Sequence, residues 1–457
     1  MTTSTDRGMW GSRFAFVLAA AGSAVGLGNI WGFPTQVGRG GGAAFVIVYL
    51  FCIVMICAPI LVAEIVLGRR SRQSPVGAFK FLSPGTRWWW VGAVGVVTSV
   101  GIVAFYSVIG GWTIAYVWFA ASGALGGGGE AAGDFFTRFT ANGWQNVLCT
   151  FIFLGMAAAA NAGGVRAGIE RVTTALMPAL LALLVLLAVR SLTLPGAAEG
   201  LAYYMRPDFS QAFNMTIVGA ALGQAFFSLS LGNGAMLTYG SYLRRSDGIG
   251  RSVLMVVALD TSIALLAGLI IFPAGFSIVG FDPASSGPGL IFAVLPQLFA
   301  TLAGGTLFGG AFFILLVMAA LTSAISLLEV PVAHVVDRWG WSRPKAVGLV
   351  AGSAFLLSIP CALGNGAVES LSNLAPAAWG GNFLGVVATI CNNFSLPITG
   401  MLMCIFVGYV WRVDRAVEEL LADNAWFPNP KLWGLLVRYV SPLAIASILL
   451  GSIMAVL

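Results

Sequence analysis

The stretch "GSAVGLGNIWGFP" (Gly22–Pro34) lies inside the first long apolar segment of the chain. Glycine weakens a helix interior, and proline removes a backbone donor and clashes with the preceding turn. The stretch therefore predicts a helix that is interrupted in mid-segment. A later apolar segment, "GQAFFSLSLGNGAMLTYGSY" (Gly223–Tyr242), carries a similar interruption made of small, hydroxyl and amide residues.

Composition places these interruptions in a membrane protein. The chain has 457 residues, of which 58% are hydrophobic and only 9% are charged, whereas soluble domains carry roughly 25% charged residues. Long apolar runs recur along the whole sequence, so a polytopic α-helical membrane protein is predicted and soluble enzymes and nucleic-acid binders are excluded. We expect a lipid bilayer around the protein and no nucleic-acid partner.

The apolar runs predict eleven transmembrane spans, each with about the 20 residues that a bilayer requires. The segment Phe281–Gly305 is apolar but contains three prolines, so it is interpreted as a re-entrant or capping hairpin. The glycine-rich segment Ala124–Asp134 is predicted to be an exposed flexible loop. The predicted spans lie at about residues 12–36, 43–68, 88–122, 144–161, 172–191, 213–243, 252–279, 306–337, 345–363, 383–411 and 434–456.

The basic residues orient the predicted spans. If the N-terminus is cytoplasmic, 19 of the 23 Lys and Arg residues fall on the cytoplasmic side. Only Arg39, Arg138, Arg190 and Arg206 fall on the other side. The positive-inside rule therefore predicts a cytoplasmic N-terminus, and the odd number of spans places the C-terminus in the periplasm. No cleavable signal peptide is expected, because the first apolar segment is too long for one.

The two interruptions lie in the first and sixth predicted spans, as expected if a five-helix unit is used twice. Lipid cannot satisfy the backbone groups that an unwound stretch exposes. Freed carbonyls are hard ligands for a small cation, and the N-terminus of a half-helix attracts a carboxylate. Close GxxxG packing is the alternative explanation, and it would account for Gly22 and Gly26 but not for Asn29 or Pro34. Paired interruptions therefore indicate a transporter binding site in mid-membrane.

Four stretches, in order over nearly the whole chain, resemble the neurotransmitter:sodium symporter family. They are "GSAVGLGNIWGFP", "GRGGGAAF" (Gly38–Phe45), "FFSLSLGNG" (Phe226–Gly234) and "LTSAISLLE" (Leu321–Glu329). The resemblance implies the leucine-transporter fold, an all-α transmembrane protein of eleven helices in which helices 1 and 6 are unwound in mid-membrane. It also implies a Na⁺-coupled symporter of the bacterial inner membrane that carries amino acids or related amines. Such a protein is not an enzyme and needs no obligatory protein partner.

The same resemblance implies how the chain is organised. A single transmembrane domain would cover residues 1–457. Two inverted five-helix repeats would cover about 12–191 and 213–411, with an extra helix at about 434–456.

Binding residues also follow from the resemblance, and they include two Na⁺ sites. The first site would use the Ala24 carbonyl with Asn29, Ser228 and Asp260, and the substrate carboxylate would join them. The second would use the carbonyls of Gly22, Val25 and Ala319 with the hydroxyls of Thr322 and Ser323. Oxygen ligands of this kind suit a hard cation. The implied substrate contacts are Ser23, Ala24, Leu27, Gly28, Ile102, Tyr106, Phe227, Ser228, Ser230, Asn233, Ser323 and Leu327.

Two gates are expected on the same basis. On the cytoplasmic side, Arg7 would pair with Asp337, next to Trp10 and supported by Ser241 and Tyr242, although Arg7 and Asp337 could each be an ordinary cytoplasmic charge.

On the outer side, the family's arginine is replaced by Gly32, and no Asp or Glu occurs between Ser370 and Val413 to pair with one. Losing both charges is coherent, because one buried unpaired charge is costly. The outer gate is therefore predicted to close by packing of Tyr106 and Phe227.

Two buried polar positions bear on the transport reaction. Chloride-dependent relatives have an amide where this chain has Asp260, and Ala264 stands where they have a serine. We therefore expect Asp260 to supply the negative charge and transport to be independent of chloride. Asn233 stands where relatives that carry large apolar amino acids place an apolar side chain. It would contact a polar substrate group or bond the freed backbone of the broken helix, and both interpretations stay open.

Other roles for the remaining charges and for the whole protein were weighed. Glu64 and Glu329 are expected to stabilise the helix core by hydrogen bonding, with a proton relay at Glu329 as the alternative. A membrane enzyme would need a nucleophile–base pair or a metal cluster, which a chain with one histidine does not offer. A substrate-sensing receptor or a passive channel on the same fold would use the same residues, so both functions stay open.

Overall fold

The fold is built of helices, without strands, in the part of the chain that the computed structural model describes: residues 8–125, 132–207, 214–278, 281–285, 290–296, 299 and 304–456. Within those residues nine helices are long and apolar enough to cross a membrane, and one bent pair makes a tenth candidate. A shorter apolar helix begins at Met215. The polytopic all-α membrane protein expected from composition is confirmed.

The principal helices, in chain order, have the following bounds. They are α1 Arg13–Ala24, α2 Gly28–Arg39, α3 Ala43–Ser71, α4 Pro75–Leu82, α5 Trp89–Ala121, α6 Ala132–Ala141, α7 Gly143–Ala162, α8 Val165–Ser191, α9 Ala197–Met205, α10 Met215–Ser228, α11 Ala235–Gly240, α12 Ile249–Gly275, α13 Gly305–Trp339, α14 Arg343–Leu363, α15 Phe383–Val410, α16 Val413–Leu420 and α17 Pro430–Val456.

Each predicted span coincides with one long helix or with a broken pair of helices. The first corresponds to α1 and α2, which are bent by 52° at the break, and the sixth corresponds to α10 and α11. Because α10 and α11 are each too short to cross a bilayer alone, the count of eleven spans stays a prediction.

The proline of the first stretch is accommodated by the way α2 is built. A π-helical turn at Gly28–Gly32 precedes regular α-helix, which begins at Phe33. Pro34 therefore falls in the first turn of that α-helix, where a missing N–H is not needed.

One predicted loop is partly wrong. Asp134 and the two residues before it belong to α6, although the sequence predicted a flexible loop through Asp134. The reason is tertiary, because Phe135 and Phe139 of α6 pack edge-on against Tyr116 and Phe119 of α5. Residues 126–131 of that loop, and much of the predicted hairpin at Phe281–Gly305, lie outside the described residues.

The core is formed by α5 and α13, which are the most deeply buried of the long helices and pack most extensively against each other. The broken pairs are held around them: α1 packs against α12 and α13, while α10 and α11 pack against α3. In contrast, only 11% of the apolar window of α17 is buried, as expected for a helix that faces lipid. Both helix breaks therefore lie inside the protein, where other side chains can satisfy the backbone.

Candidate functional site

The first break, at residues 25–27, is a point of very close approach between helices. A Cβ atom on Gly26 would lie 2.6 Å from Ser323 Oγ and 2.8 Å from the Tyr106 hydroxyl. The Leu27 N–H donates to that same hydroxyl at 3.1 Å. Glycine at position 26 is therefore required because α5 and α13 present polar groups directly to the broken backbone.

The second break, at residues 229–234, depends on backbone conformation as well as on close approach. Ser230, Gly232 and Gly234 all have positive φ, at 51°, 85° and 82°, a conformation that favours glycine. The Gly232 N–H donates to Glu64 Oε1 at 2.7 Å, and the Gly232 carbonyl accepts from Thr399 Oγ1 at 2.6 Å. A carboxylate from α3 and a hydroxyl from α15 thus satisfy the backbone that the break exposes.

The residues expected at the first Na⁺ site meet in a buried hydrogen-bonded cluster. Asn29 Nδ2 donates to Asp260 Oδ1 at 2.7 Å and to Ser228 Oγ at 2.9 Å, and Ser228 Oγ donates to Asp260 Oδ2 at 2.9 Å. The Tyr49 hydroxyl adds a contact to Ser228 at 3.2 Å. The cluster joins α2, α10 and α12, and it brings a carboxylate to the two breaks. Ala24 lines the neighbouring cavity.

The residues expected at the second Na⁺ site also come together. Ser323 Oγ lies 3.0 Å from the Val25 carbonyl and 3.4 Å from that of Gly22. Thr322 Oγ1 lies 3.0 Å from the Ala319 carbonyl, within α13. Carbonyls from the end of α1 therefore face hydroxyls of α13, which is an oxygen-rich arrangement suited to a hard cation.

A small central cavity of about 30 Å³ lies between the two breaks. Nine of the twelve expected substrate residues line it, together with Gly26 and Leu396, which the sequence reasoning missed. The nine are Ala24, Gly28, Ile102, Tyr106, Phe227, Ser230, Asn233, Ser323 and Leu327.

Three expected substrate residues lie outside the lining of the central cavity. Ser23 Oγ donates to Ser326 Oγ at 2.6 Å, and the Ser23 carbonyl accepts from Ser230 Oγ at 2.9 Å. Leu27 contributes its N–H to Tyr106, and Ser228 belongs to the cluster around Asp260. These residues support the walls of the cavity rather than facing it.

A second cavity, of about 870 Å³, opens between α10, α15 and α17. Phe227 and Leu396 line both cavities, so they form the partition between them. A Cβ atom on Gly28 would lie 2.8 Å from the Phe227 ring, which shows how closely that ring covers the break.

A buried amide lies where the outer arginine of the family would begin. Gln224 Nε2 donates to the Gly28 carbonyl at 2.8 Å, and Gln224 Oε1 lies 3.1 Å from the position of a Cβ atom on Gly32. Sequence reasoning missed Gln224, although a glutamine in an apolar helix one turn before Phe227 was a usable signal.

At the opposite end of the bundle, Trp10 is completely buried. Its Nε1 donates to the Tyr239 carbonyl at 3.0 Å, and its ring packs edge-on against Phe16, Tyr239 and Tyr242. The segment before α1 is thus packed onto α11. This aromatic cluster closes the end of the molecule that is predicted to be cytoplasmic.

Of the ion pair expected at that end, only Asp337 belongs to the described residues. Arg7 lies outside the described residues, and Asp337 Oδ2 accepts from the Ser74 N–H at 2.7 Å. The structure shows a different buried pair, in which Arg343 at the start of α14 binds Glu329, and the Tyr242 hydroxyl donates to Glu329 at 2.6 Å. Sequence reasoning predicted hydrogen bonding at Glu329 but missed its arginine partner.

These features define a membrane transport protein that binds small cations. They are the two broken helices, the buried cluster around one carboxylate, the carbonyls that face hydroxyls, and the cavity between the breaks. The comparisons with known proteins give its family. The sequence pattern of the sodium:neurotransmitter symporter family matches residues 7–127 and 134–457, and the chain belongs to that family.

Individual relatives cover almost the entire chain. The sodium-dependent transporter YhdH of Bacillus subtilis is 38% identical over 451 residues, 97% of each chain. A sodium-dependent transporter of Haemophilus influenzae is 34% identical over 99% of each chain. The crystal structure of MhsT in complex with L-phenylalanine is 42% identical, matches 99% of this chain and 100% of its own, and superimposes with a TM-score of 0.88. The family expected from the sequence is confirmed, and the protein is a sodium-dependent transporter rather than an enzyme.

Proposed function

We propose that the protein couples the inward movement of Na⁺ to the uptake of an amino acid or related amine across the bacterial inner membrane. The observation that carries this proposal is the buried cluster of Asn29, Ser228 and Asp260 at the two helix breaks. A carboxylate at this depth is costly unless it is paired. A monovalent cation would provide that pairing, and the substrate carboxylate would complete its ligands.

Two Na⁺ ions would be carried as co-substrates. The first would take the oxygens of Asn29, Ser228 and Asp260 with the Ala24 carbonyl, and the second those of Gly22, Val25, Ala319, Thr322 and Ser323. In this structure the hydroxyl of Ser323 satisfies the Val25 carbonyl. A bound cation would take the place of the Ser323 hydroxyl proton as the positive partner of the freed carbonyl oxygens.

The coupling follows from which elements the ions would join. The first site would join α2 to α10 and α12, and the second would join the end of α1 to α13. Ions and substrate together would therefore stabilise the arrangement in which Phe227 covers the cavity, and their release on the other side would need the Trp10 cluster to open. Such alternating access is a shift between two populations of states. It accords with a domain of eleven spans, two inverted five-helix repeats and a cytoplasmic N-terminus.

Chloride independence is part of the proposal. Asp260 and Ala264 both lie in α12, one turn apart, and both are completely buried. Asp260 would supply permanently the negative charge that chloride-dependent relatives obtain from the ion, and Ala264 offers no hydroxyl to hold chloride.

The test is accumulation of labelled amino acids by proteoliposomes against their concentration gradient. Uptake should require Na⁺ outside, should fail when K⁺ replaces Na⁺, and should persist when gluconate replaces chloride. Equilibration without accumulation would indicate a passive channel, and binding without movement would indicate a receptor; either result overturns coupled transport. Loss of uptake on removal of chloride would refute the role given to Asp260.

A pair of variants sharpens the chloride test. Asp260→Asn should lose uptake in chloride-free medium because it removes the charge. Adding Ala264→Ser to Asp260→Asn should restore uptake in chloride but not in gluconate. If the double variant works equally in both media, the charge-replacement argument is wrong.

A further inference from the structure

Asn233 is a polar residue in the wall of the central cavity, within the second helix break. Its side chain is only 2% exposed. Its neighbours in the same wall include the aliphatic side chains of Ile102, Leu327 and Leu396. An amide among aliphatic groups is costly unless its hydrogen bonds are made, so the bonds that Asn233 makes decide what the cavity can accept.

The orientation of this amide follows from its backbone contact. The Ala235 N–H donates to Asn233 Oδ1 at 2.7 Å. A backbone N–H needs an acceptor, and the NH₂ end of an amide cannot provide one. The oxygen must therefore face Ala235, and the NH₂ group must point away from the start of α11.

The backbone around Asn233 keeps the amide in this position. Its own carbonyl accepts from Ser99 Oγ at 3.1 Å, and the glycines on either side, Gly232 and Gly234, have φ of 85° and 82°. Rotating the side chain would leave the Ala235 N–H without an acceptor. Asn233 is thus a backbone cap and a cavity-lining donor at the same time.

The NH₂ group of Asn233 takes no part in the contact with Ala235. Among the described residues, the hydrogen bonds of the Asn233 side chain consist of the one that its oxygen accepts from Ala235. A substrate that brings an acceptor to the NH₂ group would gain a hydrogen bond, whereas an aliphatic side chain would leave it unsatisfied. The residues around the cavity carry no charged side chain, so a charged substrate side chain would be buried without a partner.

We infer that the transported amino acid has a neutral side chain with an oxygen acceptor, as in threonine, serine, asparagine or glutamine. This inference rests on the proposed amino-acid transport and names its substrate class. The amino-acid carboxylate would lie at the first break, near the cluster of Asn29 and Asp260. The substrate side chain would then extend toward Asn233 at the second break. The preference would differ from the L-phenylalanine bound by MhsT.

Near-isosteric substrate pairs test this inference with purified protein in proteoliposomes under a Na⁺ gradient. Threonine and valine have nearly the same shape and differ in one hydroxyl group, and the side chains of asparagine and leucine have the same branching and the same number of heavy atoms. The wild-type protein should take up threonine over valine, and asparagine over leucine, by roughly tenfold in kcat/KM. Ratios near one, or ratios in favour of valine and leucine, would overturn the inference.

Two variants separate the two roles of Asn233, which are accepting from the Ala235 N–H and donating to the substrate side chain. Asn233→Ser keeps a hydroxyl oxygen that can accept from the Ala235 N–H. Its own O–H lies one bond nearer the backbone than the NH₂ group and withdraws the donor from the substrate side chain, so both selectivity ratios should fall to about one. Asn233→Leu removes both and should reverse the asparagine-to-leucine ratio. If Asn233 acts only as a cap, Asn233→Ser will keep the wild-type ratios, and Asn233→Leu will lower uptake of all four substrates alike.

Two further results complete the test. Asn142 caps the start of α7 through its side chain, far along the chain from the cavity, so Asn142→Ser is a matched amide-to-hydroxyl control that should keep both ratios. The proposed transport function fails separately, if monodisperse wild-type protein accumulates no labelled amino acid or amine of a full panel under a Na⁺ gradient. Accumulation with the wrong ratios defeats only the inference about the side chain.

Discussion

The two helix breaks look alike in the sequence, but the structure uses their glycines for partly different reasons. At the first break Gly26 makes room, because Ser323 Oγ and the Tyr106 hydroxyl would lie 2.6 Å and 2.8 Å from a Cβ atom there. At the second break Gly232 and Gly234 adopt positive φ. Close approach between helices is needed at both breaks, since a Cβ atom on Gly232 would lie 2.3 Å from the Leu396 carbonyl oxygen. The second break adds a backbone conformation that favours glycine.

The breaks also differ in what satisfies their exposed backbone. Carbonyls at the first break accept from neutral hydroxyls, as Val25 does from Ser323 and Ser23 does from Ser230. At the second break the Thr399 hydroxyl likewise donates to the Gly232 carbonyl, but in addition a carboxylate, Glu64, binds the N–H of the same residue. A cation can take the place of a hydroxyl proton at a carbonyl oxygen, but it cannot take the place of a carboxylate at an N–H. The first break is thus suited to exchange ions, and the second is suited to remain permanently unwound.

The largest effect is expected from Gly232→Ala at the second break. An added Cβ atom would overlap the Leu396 carbonyl oxygen, and alanine at a φ of 85° carries a further penalty of about 1–2 kcal/mol. We expect the variant to yield no monodisperse protein in size-exclusion chromatography. Gly223→Ala is the control, since no atom of the described residues lies within 4 Å of a Cβ atom there. A Gly232→Ala protein that folds normally would contradict the role assigned to backbone conformation.

Gly26→Ala should come next, because it disturbs the first break without imposing a forbidden backbone. The new methyl group must displace the hydroxyl of Ser323, which can rotate, and that of Tyr106, which is held by a rigid ring. The protein should fold but lose most of its Na⁺-dependent uptake. Uptake kinetics and size-exclusion profiles measured together decide the matter. Wild-type Na⁺ affinity in this variant would show that close approach at the break is dispensable.

Ser323→Ala and Thr399→Val test the difference between exchangeable and permanent contacts. Ser323→Ala removes an expected ion ligand and should weaken apparent Na⁺ affinity by roughly 10- to 100-fold. In saturating Na⁺ the thermal midpoint should change little, because the ion still satisfies the Val25 carbonyl that Ser323 satisfies here. Thr399→Val leaves the Gly232 carbonyl without its 2.6 Å donor, at a cost of about 1–3 kcal/mol in stability, while Na⁺ affinity should stay the same. If both variants lose affinity and stability in equal proportion, the two breaks do not differ as described.

The smallest effect of the series is expected at Gly32, where the outer gate departs from its family. Gly32→Arg would bring a guanidinium to within reach of Gln224 Oε1, without an acidic partner between Ser370 and Val413. Uptake should fall several-fold, because an unpaired charge must be accommodated as the gate closes. Gly32→Ala adds only the Cβ atom and serves as the control. Unchanged uptake and substrate affinity in Gly32→Arg would remove the argument for an uncharged outer gate.

Much of the fold was predictable because its causes are local. The spans follow from runs of apolar residues of bilayer length, and the breaks follow from glycine, asparagine and proline at Gly22–Pro34 and from the serines and glycines of Gly223–Tyr242. Helix α6 was not predictable, because its start at Ala132 depends on packing against Tyr116 and Phe119. Those rings lie on another helix, and no pattern in the nearby sequence predicts the contact.

The residues of the candidate site also divide into those that the sequence predicted and those that it did not. Most of the expected lining residues do surround the central cavity, because the family resemblance assigned them one at a time. Tyr49, Gln224 and Leu396 were missed, since each acts on residues far away in the chain. Arg343 was missed although Glu329 lies only 14 residues earlier, because the two residues belong to different helices. Asn233 was recognised from the sequence, but only the position of the Ala235 N–H shows that its oxygen bonds the freed backbone and that its NH₂ group points elsewhere.

The sequence by itself determined that this protein crosses the membrane many times, where its helices are interrupted, and which family it belongs to. These properties depend on residue type and short-range order along the chain. Only the tertiary structure decided why each glycine is needed, which side chains satisfy the exposed backbone, and how the Asn233 amide is turned. Those properties depend on distances between atoms that are separated by up to hundreds of residues in the chain, and such distances are set by packing rather than by composition.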